Sequence, residues 1–221
     1  MRLRYIDQTA EQDAISFNFA PLTPLLWTAG QSIRLEVPGV YGPEERRFTI
    51  SSAPSEQKIT ITTRVSDSPY KQALQTLSAG TEVDAYDIRG DFTWGDAVMP
   101  RVFMASGIGV TPFRAIFAER VHLGQPLPVT LLHASKAPLF GGEFAAWQTA
   151  HPEFSFHYID NQRLTAALAK QRISDLPQSL IYLSGPSAMV DEIAAELTNS
   201  CSVPETQLKK DWFTGRLTRD D

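Results

Sequence analysis

The pattern of this chain changes at Arg101, and few folds accommodate both sides of that change. Before it, short runs alternate apolar with polar residues or are rich in β-branched side chains. Residues 14–19 place Ile15, Phe17 and Phe19 on one side, residues 33–37 alternate likewise, and 48–50 and 59–65 are strand-like. Ala29-Gly30, Pro38-Gly39, Tyr41-Gly42-Pro43 and Ala53-Pro54 separate them as turns. Tyr70, Ala73, Leu74 and Leu77 recur at helical spacing. The expectation for this half is an antiparallel β-barrel with one helix. From Arg101 onward, strand-like runs at 102–106, 129–133, 154–159, 180–184 and 207–210 alternate with helical runs at 112–122, 143–149, 164–171 and 188–198. That alternation predicts an α/β domain with a doubly wound parallel five-stranded sheet. The boundary falls at 94–100, giving domains 1–98 and 99–221, with no internal repeat.

The richest local signal opens the second half. Arg101-Val102-Phe103-Met104 reads as a strand, Gly107-Ile108-Gly109 as a turn, and Thr111-Pro112 as a helix start. Proline suits that place because its missing N–H would have had no partner. Two glycines leave the backbone open to a ligand, and the N–H groups and dipole of the helix favour a phosphate. A tight strand–helix connection with no ligand fits the same residues. In a parallel sheet, ligands bind beyond the carboxyl ends of the strands, where both Gly107-Ile108-Gly109 and Ser184-Gly185-Pro186 fall.

Composition removes several alternatives. Lys and Arg number 20 against 25 Asp and Glu, for a net charge of −5, which argues against nucleic acid as the main partner. The single cysteine, Cys201, permits neither a disulfide nor a cysteine-ligated cluster built from these residues alone. His122, His133, His151 and His157 show no metal-ligand spacing, so no metal is expected. The start lacks the apolar run of a signal peptide, and no transmembrane segment is expected, since no stretch reaches the roughly 20 apolar residues a span requires. A cytoplasmic protein is the expectation.

Taken in order, Trp27-Thr28-Ala29-Gly30-Gln31, Arg46-Arg47-Phe48-Thr49-Ile50-Ser51-Ser52, Gly107-Ile108-Gly109-Val110-Thr111-Pro112 and Ser184-Gly185-Pro186 resemble the ferredoxin–NADP reductase-like flavoprotein superfamily. The likeness runs from about residue 14 to 215. It implies a flavin-binding barrel followed by a pyridine-nucleotide domain: a flavin/NAD(P) reductase module without an iron–sulfur domain. The activity implied is hydride transfer from NADPH or NADH to bound FAD, rather than FMN, and onward electron transfer. The external acceptor would be a ferredoxin, a flavodoxin, a separate iron–sulfur protein, free flavin or a ferric chelate. A flavin- or nucleotide-binding redox sensor or subunit with little turnover is the alternative.

By this resemblance Arg46 holds a flavin phosphate, Phe48 lies against the isoalloxazine ring, and Thr49 donates a hydrogen bond near the flavin N5. Read alone, Phe48 is a plain core aromatic and Arg46 a solvated turn charge after Glu44-Glu45. Ser52 and, in the second phosphate-binding segment, Tyr70 and Lys71 complete the flavin-contacting set. That segment lacks the usual glycine and serine, with Lys71 near the serine's place, and Asp87-Ile88-Arg89-Gly90 lacks the usual Gly-Pro.

In the second half the resemblance assigns Gly107, Gly109, Thr111 and Pro112 to the NAD(P) pyrophosphate and nicotinamide side. Ser135 and Lys136 fall where the adenosine ribose is read and would take a 2′-phosphate, favouring NADP; a simply solvated lysine is the bland reading. Ser184 replaces the family's cysteine beside the nicotinamide C4 and is, with Thr49, the expected catalytic residue; Gly185 and Pro186 complete that turn. Phe213 or Trp212 either covers the flavin or closes a buried strand. The two rings would stack in a cleft where the halves meet, with Thr49, Thr111 and Ser184 turned to a common opening.

Overall fold

The computed structural model describes residues 1–38 and 46–213, with Phe213 described by its backbone alone. The turn at 39–43, Glu44-Glu45, Gly215 and Arg216 lie outside the described residues. Two compact units emerge: Met1–Trp94 with Thr111–Leu123, and Gly95–Val110 with the chain from Gly124 onward.

In the first unit the strands are β1 (Arg2–Glu11), β2 (Ala14–Pro21), β3 (Ser32–Glu36), β4 (Arg46–Thr49), β5 (Ile59–Arg64) and, after helix α1 (Pro69–Gln75), β6 (Glu82–Arg89). They form one antiparallel sheet in the order β4-β3-β6-β1-β2-β5. The sheet curls, and an antiparallel bridge from Ile50 to Ile61 joins the end of β4 to β5. Inside it Leu3, Phe17, Phe19, Ile33, Leu35, Ile61, Tyr70 and Leu74 make the core. This is the expected barrel, with two strands beyond those the alternation marks. β1 buries only Leu3 and Tyr5 before a register shift between Tyr5 and Asp7, and its remaining residues face outward. β6 buries Val83 and Ala85 between charged residues, and Asp87 adopts a positive φ of 57°.

Helix α2 (Thr111–His122) belongs by its packing to this unit. Phe113 stacks on Phe92 at 5.8 Å, Arg120 lies 3.8 Å over the Trp94 ring, and Arg114 pairs with Glu56. At Gly30 (φ +99°) a Cβ would fall 2.1 Å from the Phe92 carbonyl oxygen, so only glycine passes there.

The second unit is a five-stranded parallel sheet of β7 (Arg101–Ser106), β8 (Val129–Ser135), β9 (Phe154–Asp160), β10 (Leu180–Pro186) and β11 (Leu208–Phe213), ordered β11-β10-β7-β8-β9. Helices α3 (Gly141–Ala150), α4 (Ala166–Arg172) and α5 (Ser187–Cys201) complete it. Val190, Ile193, Ala194 and Leu197 of α5 pack with Val102, Met104, Ile181 and Leu183 of the sheet. The central strands β7 and β10 are almost wholly buried and mostly apolar, whereas the edge strands β9 and β11 mix in Ser155, His157, Lys209 and Lys210.

Candidate functional sites in the two units

In the first unit the side chains of β4 gather around Tyr70. The Phe48 ring stacks on Tyr70 at 5.8 Å, and the Arg46 guanidinium lies 5.4 Å over the same ring. Tyr70 itself is fully buried and donates its hydroxyl to the Leu35 carbonyl at 2.6 Å. Burial pushes that hydroxyl's pKa far above its ordinary value. It is therefore the floor on which Arg46 and Phe48 are arranged.

The hydroxyls that follow have separate fates. Ser51 donates to the Thr60 carbonyl at 3.1 Å. Ser52, fully buried, donates to the Lys58 carbonyl at 2.7 Å and accepts from the Thr60 amide at 2.8 Å. Thr49, at the end of β4, is 8% exposed, while Ser52 ties the segment to β5.

At α1, Ser68 caps the helix by accepting from the Lys71 amide at 3.3 Å, and Pro69 has no amide hydrogen. The Lys71 ammonium donates to the Arg64 carbonyl at 2.8 Å. Burial, then the neighbouring Arg46 and Arg64 charges, lower its pKa. The surroundings of Lys71 thus fit a phosphate by their charge, which is the chemistry a flavin nucleotide brings.

In the second unit the strand ends interlock. Gly107, at φ +54°, opens a 3₁₀ turn to Val110, and its carbonyl lies 3.0 Å from His133 Nε2. A carbonyl only accepts, so Nε2 carries the hydrogen and donates. A Cβ on Gly109 would fall 2.3 Å from the Ser184 carbonyl oxygen and 2.6 Å from its carbon, so the turn rests directly on the backbone of β10. Ser184 is fully buried and donates its hydroxyl to Asp211 Oδ2 at 3.3 Å. Burial raises the Asp211 pKa to about 6, with the Ser184 hydrogen bond opposing the shift.

The structure thus brings Gly107, Gly109, Ser184 and Gly185 together at the carboxyl ends of β7 and β10. Pro186 ends β10 and is exposed. At the end of β8, Ser135 hydrogen-bonds the Ala137 carbonyl, Lys136 is exposed, and Tyr158 donates to the Ser135 carbonyl at 3.0 Å. Thr111 and Pro112, both buried, begin α2. Phe213 pairs through its backbone opposite Pro186; its ring is outside the described side chains, and Trp212 is half exposed. His133 and Asp211 were not singled out in the sequence as functional. Their one signal is a polar residue at the end of an otherwise apolar or strand-like run.

Among the described residues, no group of three or more His, Cys, Asp or Glu side chains could hold a metal ion. None of their helices is long and apolar enough to cross a membrane.

No family model matches the chain. It is 27% identical, over an aligned stretch of 236 residues, to a flavohemoprotein of Pseudomonas aeruginosa; the match covers 96% of this chain and 58% of that protein. It is 30% identical over 125 residues to ferredoxin–NADP reductase B of Sorangium cellulosum, covering 55% of this chain and 51% of the relative. The chain therefore spans about half the length of these curated relatives. In fold it matches the crystal structure of the flavohem-like FAD/NAD-binding domain of nitric oxide dioxygenase from Vibrio cholerae. The TM-score is 0.83 at 20% identity, over 96% of this chain and 98% of that one. Motif order, the curled antiparallel sheet followed by a parallel one, and these matches point the same way: the chain is similar in sequence to flavohemoproteins and a ferredoxin–NADP reductase, and it shares the fold of an FAD/NAD-binding domain.

Proposed function

We propose that the chain is a reductase module that takes a hydride from NAD(P)H and, with FAD as cofactor, passes electrons to an acceptor outside these two units. The observation that carries the reading is the interlock of Gly109 with the Ser184 carbonyl. In the order β11-β10-β7-β8-β9, succession reverses between β7 and β10, and this contact lies at the carboxyl ends of those two strands. Doubly wound sheets take their ligands at that switch point.

Bound flavin supplies a hydride acceptor that can release electrons singly or in pairs. The chain's own residues bind and orient. Arg46 and Lys71 meet the flavin phosphate, Phe48 borders the ring, and the Thr49 hydroxyl is the polar group offered to it. Gly107 and Gly109 leave the turn bare for the dinucleotide pyrophosphate, with the start of α2 at Thr111 and Pro112. Ser184, tied to Asp211, and Gly185 with Pro186 shape the nicotinamide side, and Ser135 with Lys136 the adenosine ribose. The acceptor belongs to the class of ferredoxins, flavodoxins or iron–sulfur proteins. The names of several relatives support an electron-transfer role; one is the electron transfer component of a toluate 1,2-dioxygenase.

The test is anaerobic mixing of the FAD-loaded chain with NADPH and with NADH. Rapid loss of the flavin's yellow absorbance, restored by ferricyanide or a ferredoxin, is the expected result. Binding of both cofactors without bleaching would replace this reading with that of a redox sensor, and a chain that takes up no flavin would end it.

A further inference from the structure

We infer that the flavin phosphate is held by the side-chain charges of Lys71 and Arg64 together with Arg46, in place of the backbone amides of a helix start. This rests on the flavin reading above and concerns how the same site works.

The start of α1 is poorly equipped for an anion. Its first residue, Pro69, has no N–H, the Lys71 amide is taken by the Ser68 hydroxyl, and the helix is only seven residues long. Side chains are better placed. Lys71 Nζ is fixed at the end of β5 by its 2.8 Å hydrogen bond to the Arg64 carbonyl. The Arg46 guanidinium lies over Tyr70, the residue before Lys71. Arg64 Nε stands 3.6 Å from Asp13 across an exposed pair, an arrangement worth little in water. Partial burial first, and then the positive Arg46 and Arg64, disfavour the Lys71 ammonium, and an anion would relieve it. A phosphate, with up to two negative charges and three acceptor oxygens, is the complement of such a group.

Charge without a shaped amide cradle has two consequences. Retention depends on the phosphate itself, and it weakens with salt because exposed charges are screened.

The experiment strips flavin from the full chain and titrates it with riboflavin, FMN and FAD at low and high salt, following flavin fluorescence. Wild type is expected to bind FMN and FAD more tightly than riboflavin, with the advantage shrinking in salt. Lys71→Met and Arg64→Met should each weaken FMN and FAD by about tenfold, the size of a lost charge-assisted hydrogen bond, and leave riboflavin unchanged. Lys71→Arg should restore most of the loss. Equal losses for riboflavin, or variants indistinguishable from wild type, overturn the inference while leaving the flavin reading intact. A wild-type chain that binds none of the three overturns both.

Discussion

Ser184 donates its hydroxyl to Asp211 Oδ2 at 3.3 Å across two neighbouring parallel strands, to a carboxyl group that is mostly buried. The pKa of Asp211 is raised to about 6 by burial. An unfolded aspartate loses its proton near about 3.9, so between these values the folded chain binds more protons than the unfolded one. Stability therefore falls as pH rises through that window, and above it the full cost, on the order of 3 kcal/mol, is present. Asp211→Asn keeps an acceptor for Ser184 without the charge. Urea unfolding should show the variant equal to wild type at about pH 4 and more stable at about pH 7.5. Parallel curves for the two proteins across this range would show that Asp211 is not the group titrating.

The two glycines of the turn should fail for different reasons. Gly109→Ala drives a methyl into the Ser184 carbonyl, which is backbone and cannot swing aside. A loss on the order of 3 kcal/mol is expected, with a raised KM for NAD(P)H in whatever protein folds. Gly107→Ala puts a side chain on a residue at φ +54°, for a left-handed backbone penalty of about 1–2 kcal/mol. Thermal unfolding of the pair checks the order; equal losses would mean that the β10 contact yields.

His133 offers a test of the turn from the other side. Its Nε2–H satisfies the Gly107 carbonyl, and the ring is fully buried. His133→Leu keeps an apolar side chain but leaves that carbonyl unmet, costing about 1–3 kcal/mol. With the turn loosened, KM for NAD(P)H should rise about tenfold at little change in kcat. His133→Gln, which still donates, should recover most of it. A KM that follows stability alone, with no rescue by glutamine, would reduce His133 to packing.

What the sequence disclosed, and what it hid, follows from how side chains advertise burial. The central parallel strands β7 and β10 are legible because nearly all their residues are buried, and β2, β3 and β5 because polar and apolar or β-branched residues mark them. β1 and β6 are not, since each buries only two residues fully and most of the others are charged or polar. Glycine and proline mark the turns after β7 and at the end of β10 well. The hydroxyls are another matter: Ser51, Ser52 and Thr49 look alike in a row, and only the fold shows that the first two bond to β5. Asp211 and Ser184 stand 27 residues apart in the chain, so no local spacing announces their pairing.

A partly buried ion pair fastens α2 to the 3₁₀ turn at Pro54–Glu56 in the first unit. Arg114 pairs with Glu56 and donates to the Ser51 carbonyl at 3.2 Å, while Glu56 also accepts from the Ala53 amide at 2.6 Å. Arg114→Ala strands both acceptors and should cost about 1–3 kcal/mol. Glu56→Ala removes one of them, so the double variant should lose clearly less than the sum of the single losses. Additive losses in urea titrations would show that the pair does not act as a unit.

Opposed charges stand at the ends of β8 and β9, where the proposed function places the adenosine ribose. Lys136 follows Ser135, and Asp160 is paired in register with Ser135, its carboxylate accepting from Tyr158 at 3.2 Å while the same hydroxyl reaches the Ser135 carbonyl. If a 2′-phosphate is received at Ser135, Lys136 attracts it and Asp160 repels it. Lys136→Ala should then lower the NADPH/NADH ratio of kcat/KM, and Asp160→Asn should raise it, each by a few-fold as expected of exposed charges. Both shifts should fade in high salt. An unchanged ratio in Lys136→Ala removes this lysine from nucleotide choice, whereas a shift in Lys136→Ala alone would place the phosphate away from Asp160.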